Sequence, residues 1–269
     1  MKSLRLQRGV RLLWRRALPF VPPVLLALTV VIPLALFAWL LFSTTIFTVQ
    51  AVTVVDAREH TGEAARAIIE RRLSQTRLGR TIFFVPTEIL EAEIVSALPQ
   101  VRTVHIARKL PGTIKAIIQE KTPALLLLSD GQYYFVDDQG VPYEEARLET
   151  LPGIVLPVVK NDSASTVTLG AAAFTPEFIS FLHTIQKELP ERVGFEVAEI
   201  RIPSLSAREM KVYLNANWYI NFDVTRRAEQ QLAILQQLLT TAIDSEQRAQ
   251  LEYIDLRIPN RVYWRPKNS

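Results

Sequence analysis

Hydrophobic and polar positions along the chain fall into three regimes. From Ala17 to Phe42 the sequence ALPFVPPVLLALTVVIPLALFAWLLF has no ionisable side chain, and no charge follows it until Asp56. The hydrocarbon core of a bilayer takes about 20 apolar residues as helix, so this run predicts a membrane span over 17–42. Pro19, Pro22 and Pro23 suit a turn before the helix. Pro33 lies inside, where proline is tolerated if neighbouring groups re-satisfy the freed carbonyl.

In the second regime the period switches between two and 3.6. FTVQAVTVV, Phe47 to Val55, is rich in β-branched residues and predicts a strand. Thr61 to Leu73 places Ala65, Ile68, Ile69 and Arg72 at helical spacing, and Gly79 with Arg80 breaks the chain before IFFV at Ile82–Val85. Pro86, Thr87 and Glu88 read as a helix start with Thr87 as its cap, followed by an apolar face of Leu90, Ile94, Val95 and Leu98 and a stop at Pro99. Strands are predicted over Val101–Arg108 and Thr113–Glu120, joined at Leu110-Pro111-Gly112. In the second of them Ile114, Ala116 and Ile118 take the buried phase. The order is strand, helix, helix, strand, strand.

In the third regime, from Leu125, short apolar runs alternate with turn signals at Asp130-Gly131 and Asp138–Gly140, the pattern of a β meander. Asp137, Asp138 and Gly140 lack the twelve-residue carboxylate spacing of a calcium loop and read as a hairpin turn. A helix is predicted over Phe174–Leu189 with Phe178, Phe181, Leu182 and Ile185 on one face. Strands follow at Phe195–Ile202 and Met210–Phe222, with a turn at Ala216 and Asn217. A longer helix over Thr225–Ile243 carries the stripe Ala228, Leu232, Leu235, Leu239 and Ile243, which reads as core rather than partner groove. The chain closes with a strand at Leu251–Leu256, a turn at Pro259-Asn260, and a last strand at Arg261–Arg265 stopped by Pro266.

Charge changes this picture in two ways. The formal net charge is +4, from 31 Lys and Arg against 27 Asp and Glu. Six of those cations, Lys2, Arg5, Arg8, Arg11, Arg15 and Arg16, precede the apolar run with no acid among them, so the amino terminus is expected on the cytoplasmic side. A cleavable signal peptide competes with an anchor. Its apolar core is shorter and ends at small residues, where this chain has Trp39, Leu40, Leu41 and Phe42. The remainder of the chain is close to neutral, which argues against nucleic acid as a partner. With 0 cysteines, disulfides, thiol catalysis and cysteine metal sites are excluded. No glycine-rich phosphate loop, G-x-S-x-G or H-E-x-x-H occurs, and His60, His105 and His183 are scattered, so no catalytic site, cofactor or small-molecule substrate is expected. The Asn161-Asp162-Ser163 sequon would have no weight if the chain is bacterial.

The phrases FTVQAVTVV, LPQVRTVHIARKLPGTIKAIIQEKTPAL and YYFVDDQG, with Leu151-Pro152-Gly153-Ile154 and the closing YIDLRIPNRVYWRPK, resemble the FtsQ/DivIB family of bacterial cell-division proteins. The resemblance implies an α+β fold: a single N-terminal transmembrane helix, a POTRA domain (β-α-α-β-β), and a mixed β domain with two helices packed on an antiparallel-rich sheet. The corresponding boundaries are a basic cytoplasmic tail over 1–16, a span over 17–42, the POTRA domain over 47–120, the β domain over 121–266 and a tail over 267–269. It implies a non-enzymatic protein of the inner membrane at the septum, with its bulk periplasmic. Its partners would be FtsB (DivIC), FtsL and other membrane proteins of the division machinery.

A strand added last to a sheet is expected at its edge, where it can accept a strand from another protein. The expected partner-binding residues are therefore Asp255, Arg257, Arg261, Val262, Tyr263, Trp264 and Arg265. Asp255-Leu256-Arg257 matches the family's "DLR". Alternation predicts that one of Tyr263 and Trp264 packs on the core, with Tyr263 as the exposed one. A second edge is expected in the POTRA domain near Thr113–Glu120. Two rival readings carry different predictions. A single-POTRA component of an outer-membrane secretion or assembly system needs no C-terminal strands, and a membrane-anchored cell-wall hydrolase needs a cleft with paired carboxylates.

Overall fold

A computed structural model describes residues 23–43, 45–75, 80–147, 156–163 and 165–267. The basic tail, Gly79, Leu151–Ile154 and the last two residues lie outside the described residues. The first helix, α1, spans Pro23–Ser43 with Pro33 inside it, and its described side chains run from Leu28 to Trp39. Among the described residues no helix is long and apolar enough to cross a membrane. Large apolar side chains such as Leu34, Phe37 and Trp39 are exposed on α1.

The first globular unit contains β1 (Ala51–Val55), α2 (Glu59–Ser74), α3 (Thr87–Ala97), β2 (Val101–Lys109) and β3 (Thr113–Glu120). Its sheet runs β1-β3-β2. β1 lies parallel to β3, with Ala51 opposite Thr113, and β2 is antiparallel to it. A parallel pair needs a crossover, which α2, α3 and β2 supply. Ile114, Ala116 and Ile118 of β3 are buried under Ala65 and Ile69 of α2 and Leu90 and Ile94 of α3 in one cluster. Each leucine and isoleucine among them contributes about 1.5–3 kcal/mol on burial.

Three readings of this unit are corrected. Thr113–Glu120 is the central strand, flanked on both sides, because β1 returns to pair with it; the edges are β1 and β2. Thr87 is the first helical residue of α3 rather than its cap, since Pro86 takes the cap position and no side chain bonds the first turn. Val95 faces outward, leaving Leu90 and Ile94 to bury the helix.

The second unit is a nine-stranded sheet ordered β12-β11-β10-β9-β8-β7-β4-β5-β6. Its strands are β4 (Pro123–Ser129), β5 (Gln132–Asp137), β6 (Pro142–Ala146), β7 (Val158–Asn161), β8 (Val197–Ile202), β9 (Glu209–Leu214), β10 (Tyr219–Asp223), β11 (Leu251–Asp255) and β12 (Tyr263–Pro266). β4, β5 and β6 form the expected meander. Antiparallel pairs predominate, but three parallel joints occur: β4 with β7, β7 with β8, and β10 with β11. The latter two are bridged by the helices α4 (Pro176–Val193) and α5 (Ala228–Thr241).

Both helices therefore return to one face of the sheet, where Phe178, Leu182, Ile185, Leu232, Leu235, Leu239 and Ile243 join Trp218, Phe222 and Ile254 in a single core. The stripe on α5 is core, as its period indicates. Thr175 caps α4, its hydroxyl accepting from the Phe178 N–H at 3.3 Å. The buried Gln231 ties α5 to the end of β10, accepting from the Asp223 N–H and donating to the Asp223 carbonyl at 3.0 and 2.8 Å. A short helix, α6 (Ser245–Ala249), opens with a capping box between Asp244 and Gln247 and leads into β11.

Asp137 is the hinge of the β5–β6 turn. Its carboxylate accepts from the N–H groups of Gln139 and Val141 and from Lys121 Nζ at 3.0, 2.9 and 2.9 Å, so turn chemistry accounts for it fully. Gly140 in the same turn has φ +78°, and a Cβ there would meet the Phe174 carbonyl oxygen at 2.3 Å; only glycine fits.

Candidate partner-binding edge

The last strand of the chain is also the last strand of the sheet. β12 is antiparallel to β11, with Tyr263 opposite Asp255, Trp264 opposite Ile254 and Arg265 opposite Tyr253. Among the described residues no strand lies beyond it. It begins two residues later than the sequence suggests: Asn260 adopts φ 59° and the Arg261 N–H donates to the Ile258 carbonyl, so Arg261 belongs to the turn. Pro266 ends the strand rather than stopping it from outside, a placement open to proline on an edge.

The expectation that one aromatic packs on the core is also corrected. Tyr263 is 48% and Trp264 39% exposed. Trp264 does share the face of the buried Ile254, yet on this terminal strand of the sheet it stays exposed. Val262, just before the strand, packs against the core instead. Arg265 pairs with Glu252 at 3.4 Å.

Beneath the edge lies a charge knot. Arg257 donates to both carboxylate oxygens of Asp255, at 2.9 Å from Nε to Oδ1 and 2.5 Å from Nη2 to Oδ2, and its Nη1 reaches Glu209 on β9. Burial by itself would raise the Asp255 carboxyl; the Arg257 hydrogen bonds outweigh it and hold the group below the ordinary aspartate value. The Asp255 hydrogen bonds hold the Arg257 guanidinium above its usual range. Arg226 Nη1 donates to the Leu256 carbonyl at 2.9 Å, and the Leu256 N–H donates to the Asn221 carbonyl at 2.9 Å. Asp255 and Arg257 thus fix the strand that carries β12, while Arg261, Tyr263, Trp264 and Arg265 are the outward ones.

The sequence reading missed a row of half-buried tyrosines. Tyr213, Tyr219 and Tyr253 stand in register on β9, β10 and β11, with ring centroids 5.0 and 5.5 Å apart. Arg201 of β8 lies over the Tyr213 ring at 4.9 Å. Burial, and then the nearby Glu252, push the Tyr219 hydroxyl up. Period-two alternation in EMKVYL and YINFD puts these tyrosines opposite the core phase, but their register depends on a β10–β11 pairing made across α5 and α6.

Among the described residues no group of three or more His, Asp or Glu side chains could hold a metal ion. The shallow hollow beside the knot, about 470 Å³, is lined by Pro203, Arg208, Glu209, Asp223, Thr225 and Arg257; Glu209 pairs with Arg257, and the Asp223 carboxylate accepts from the Thr225 N–H and hydroxyl.

Residues 124–257 match the family described as cell division protein FtsQ/DivIB, C-terminal. The match covers β4 to the Asp255–Arg257 knot, and β12 lies beyond it. The chain is 30% identical over 195 residues to a cell division protein FtsQ of Streptomyces venezuelae, covering 70% of this chain and 66% of the relative. Against that of Chloroflexus aurantiacus the identity is 29% over 232 residues, 86% and 78% of the two chains. For Streptomyces collinus it is 27% over 171 residues, 62% and 61%. The aligned region thus spans about three fifths to two thirds of the Streptomyces relatives. Motifs and likeness converge, and the chain belongs to the FtsQ/DivIB family of cell division proteins.

Proposed function

We propose that the chain is a non-enzymatic scaffold of the division machinery, anchored in the inner membrane by one helix and linking early and late division proteins at the septum. It binds the FtsB/FtsL pair by strand addition at β12. The observation that carries this reading is the edge position of β12 with Tyr263 and Trp264 exposed on it. An edge strand offers backbone groups for affinity, and its aromatic side chains are of the type that anchors interfaces. The knot of Asp255, Arg257 and Glu209 pre-organises the strand beneath, which lowers the ordering cost of docking.

The anchor is α1 extended over the apolar residues that flank its described part, with the six cations before it on the cytoplasmic side. The first unit, with its β-α-α-β-β order, is a POTRA domain over 47–120, and the second, over 121–266, is the partner-binding domain. Anchoring confines both to the membrane surface, where the effective concentration of other single-span division proteins is high.

The test is capture of the periplasmic segments of the organism's own FtsB and FtsL by the full chain in nanodiscs. Tyr263→Ala, Trp264→Ala and a truncation after Asn260 are run beside it. Loss of capture on truncation is the expected result. Undiminished capture by a normally folded truncation overturns the β12 assignment.

A further inference from the structure

Three pieces of chain meet at the end of the first unit where α1 arrives. A tight turn at Thr45–Phe47 follows α1, a second lies at Ile82–Phe84, and the β2–β3 turn runs through Leu110, Pro111 and Gly112. Thr48 bridges Thr81, the Val49 N–H donates to the Arg80 carbonyl at 2.7 Å, and the rings of Phe47 and Phe83 lie 5.3 Å apart. The third piece is pressed equally close: a Cβ on Gly112 would lie 2.4 Å from the Thr48 carbonyl oxygen and 3.5 Å from that of Ile46.

Large apolar side chains point outward from all three pieces. Ile46 is 54%, Phe83 45%, Phe84 53% and Leu110 63% exposed. Covalent connectivity sets where this patch sits. One residue separates Ser43, the last of α1, from Thr45, and a residue spans at most about 3.6 Å, so Ile46 stays within reach of the helix end in any arrangement. Charge is equally one-sided. Segments 43–50, 80–85 and 108–112 contain no Asp or Glu, whereas Arg80, Arg108 and Lys109 among them are exposed.

We infer that this end of the first unit is a lipid-contacting foot: Ile46, Phe83, Phe84 and Leu110 rest in the bilayer interface and Arg80, Arg108 and Lys109 meet anionic headgroups. Apolar and aromatic side chains beside cations, with no acid, are what an interfacial surface requires. The inference rests on the proposed membrane anchor, and continuity with that helix is what selects lipid over a protein partner. The foot seats the first unit on the bilayer, which fixes its tilt and the height at which the second unit is presented.

The absence of cysteine allows a clean test on the full chain. Single cysteines are introduced as Ile46→Cys, Leu110→Cys, Leu36→Cys and Asn217→Cys and labelled with a nitroxide. The labelled proteins are reconstituted in vesicles of phosphatidylethanolamine and phosphatidylglycerol holding only this chain. Collision with oxygen and with a water-soluble nickel chelate then reports depth. At positions 46 and 110 the oxygen-to-nickel ratio is expected severalfold above that at 217 and below that at 36. Ratios at 46 and 110 equal to that at 217, with 36 still lipid-buried, would overturn the foot and leave the anchor intact; that outcome also covers a protein occupant, which these vesicles lack. Nickel access at 36 itself would instead remove the anchor, and the foot with it.

Discussion

At one end of the nine-stranded sheet β6 has Pro142, Tyr143 and Ala146 buried; at the other β12 has Tyr263, Trp264 and Arg265 exposed. Both are short edge strands, and their neighbours treat them differently. The Gly170 N–H donates to the Pro142 carbonyl, the Tyr143 ring stacks near Phe135 at 6.3 Å, and Arg58 of the first unit reaches Glu144 at 3.1 Å. Proline, charge and covering loops are the usual ways of closing an edge. β12 carries a proline only at its end, and Tyr263, Trp264 and Arg265 stay exposed on it. The difference teaches that edge position alone does not make a docking site; what matters is which edge the rest of the chain leaves open.

The largest expected effect breaks the comparison directly. Removing residues 261–269 should cost at least about 2 kcal/mol of partner binding, the scale of an interface hot spot, whereas Glu145→Lys on the β6 edge should leave binding unchanged; capture assays read both. Next, Gly140→Ala forces a Cβ into the Phe174 carbonyl at a left-handed φ. Strain of this kind costs on the order of 1–3 kcal/mol before the clash is added. Chemical denaturation should show that loss of stability with partner binding intact in the folded protein.

Arg257→Ala should cost about 1.5–3 kcal/mol by leaving the Asp255 carboxylate without its charged donor. Because the Asp255 carboxyl is lower in the folded protein than in the unfolded chain, its stabilisation is complete above the unfolded value, about 3.9. It is lost as pH falls below that, since the unfolded chain takes up the proton first. The stability gap between the wild type and the variant, read by denaturation, should therefore be widest at neutral pH and narrow as pH falls below about 3.9. Trp264→Ala and Tyr263→Ala should each lower affinity by about 1–2 kcal/mol with little change in melting temperature, since both rings are exposed. Arg58→Ala, on the closed side, should cost under about 1 kcal/mol of stability, because its side chain is 46% exposed and its pairs with Glu120 and Glu144 are screened. A larger loss would mean that the two units hold each other more firmly than exposed pairs allow.

Much of the fold was legible because its signals are local. The period in β3 placed Ile114, Ala116 and Ile118, the stripe on α5 placed Leu232, Leu235 and Leu239, and the DDQG turn was read as a turn. Pairing was less legible. That β1 returns to flank β3, and so removes Thr113–Glu120 from the edge, depends on a parallel contact across the unit that no local pattern encodes. Likewise alternation puts Trp264 on the face of the buried Ile254, yet it cannot tell that Trp264 stays exposed on the terminal strand. The Glu209 arm of the knot is 48 residues from Arg257 and has no short-range signature.

Hydrogen exchange on the full chain in nanodiscs, with and without the periplasmic segments of FtsB and FtsL, tests strand addition most directly. Added backbone bonds should slow exchange over residues 262–266 and leave 142–146 unchanged. Slowed exchange in the first unit or at β6, with 262–266 unaltered, would contradict the account.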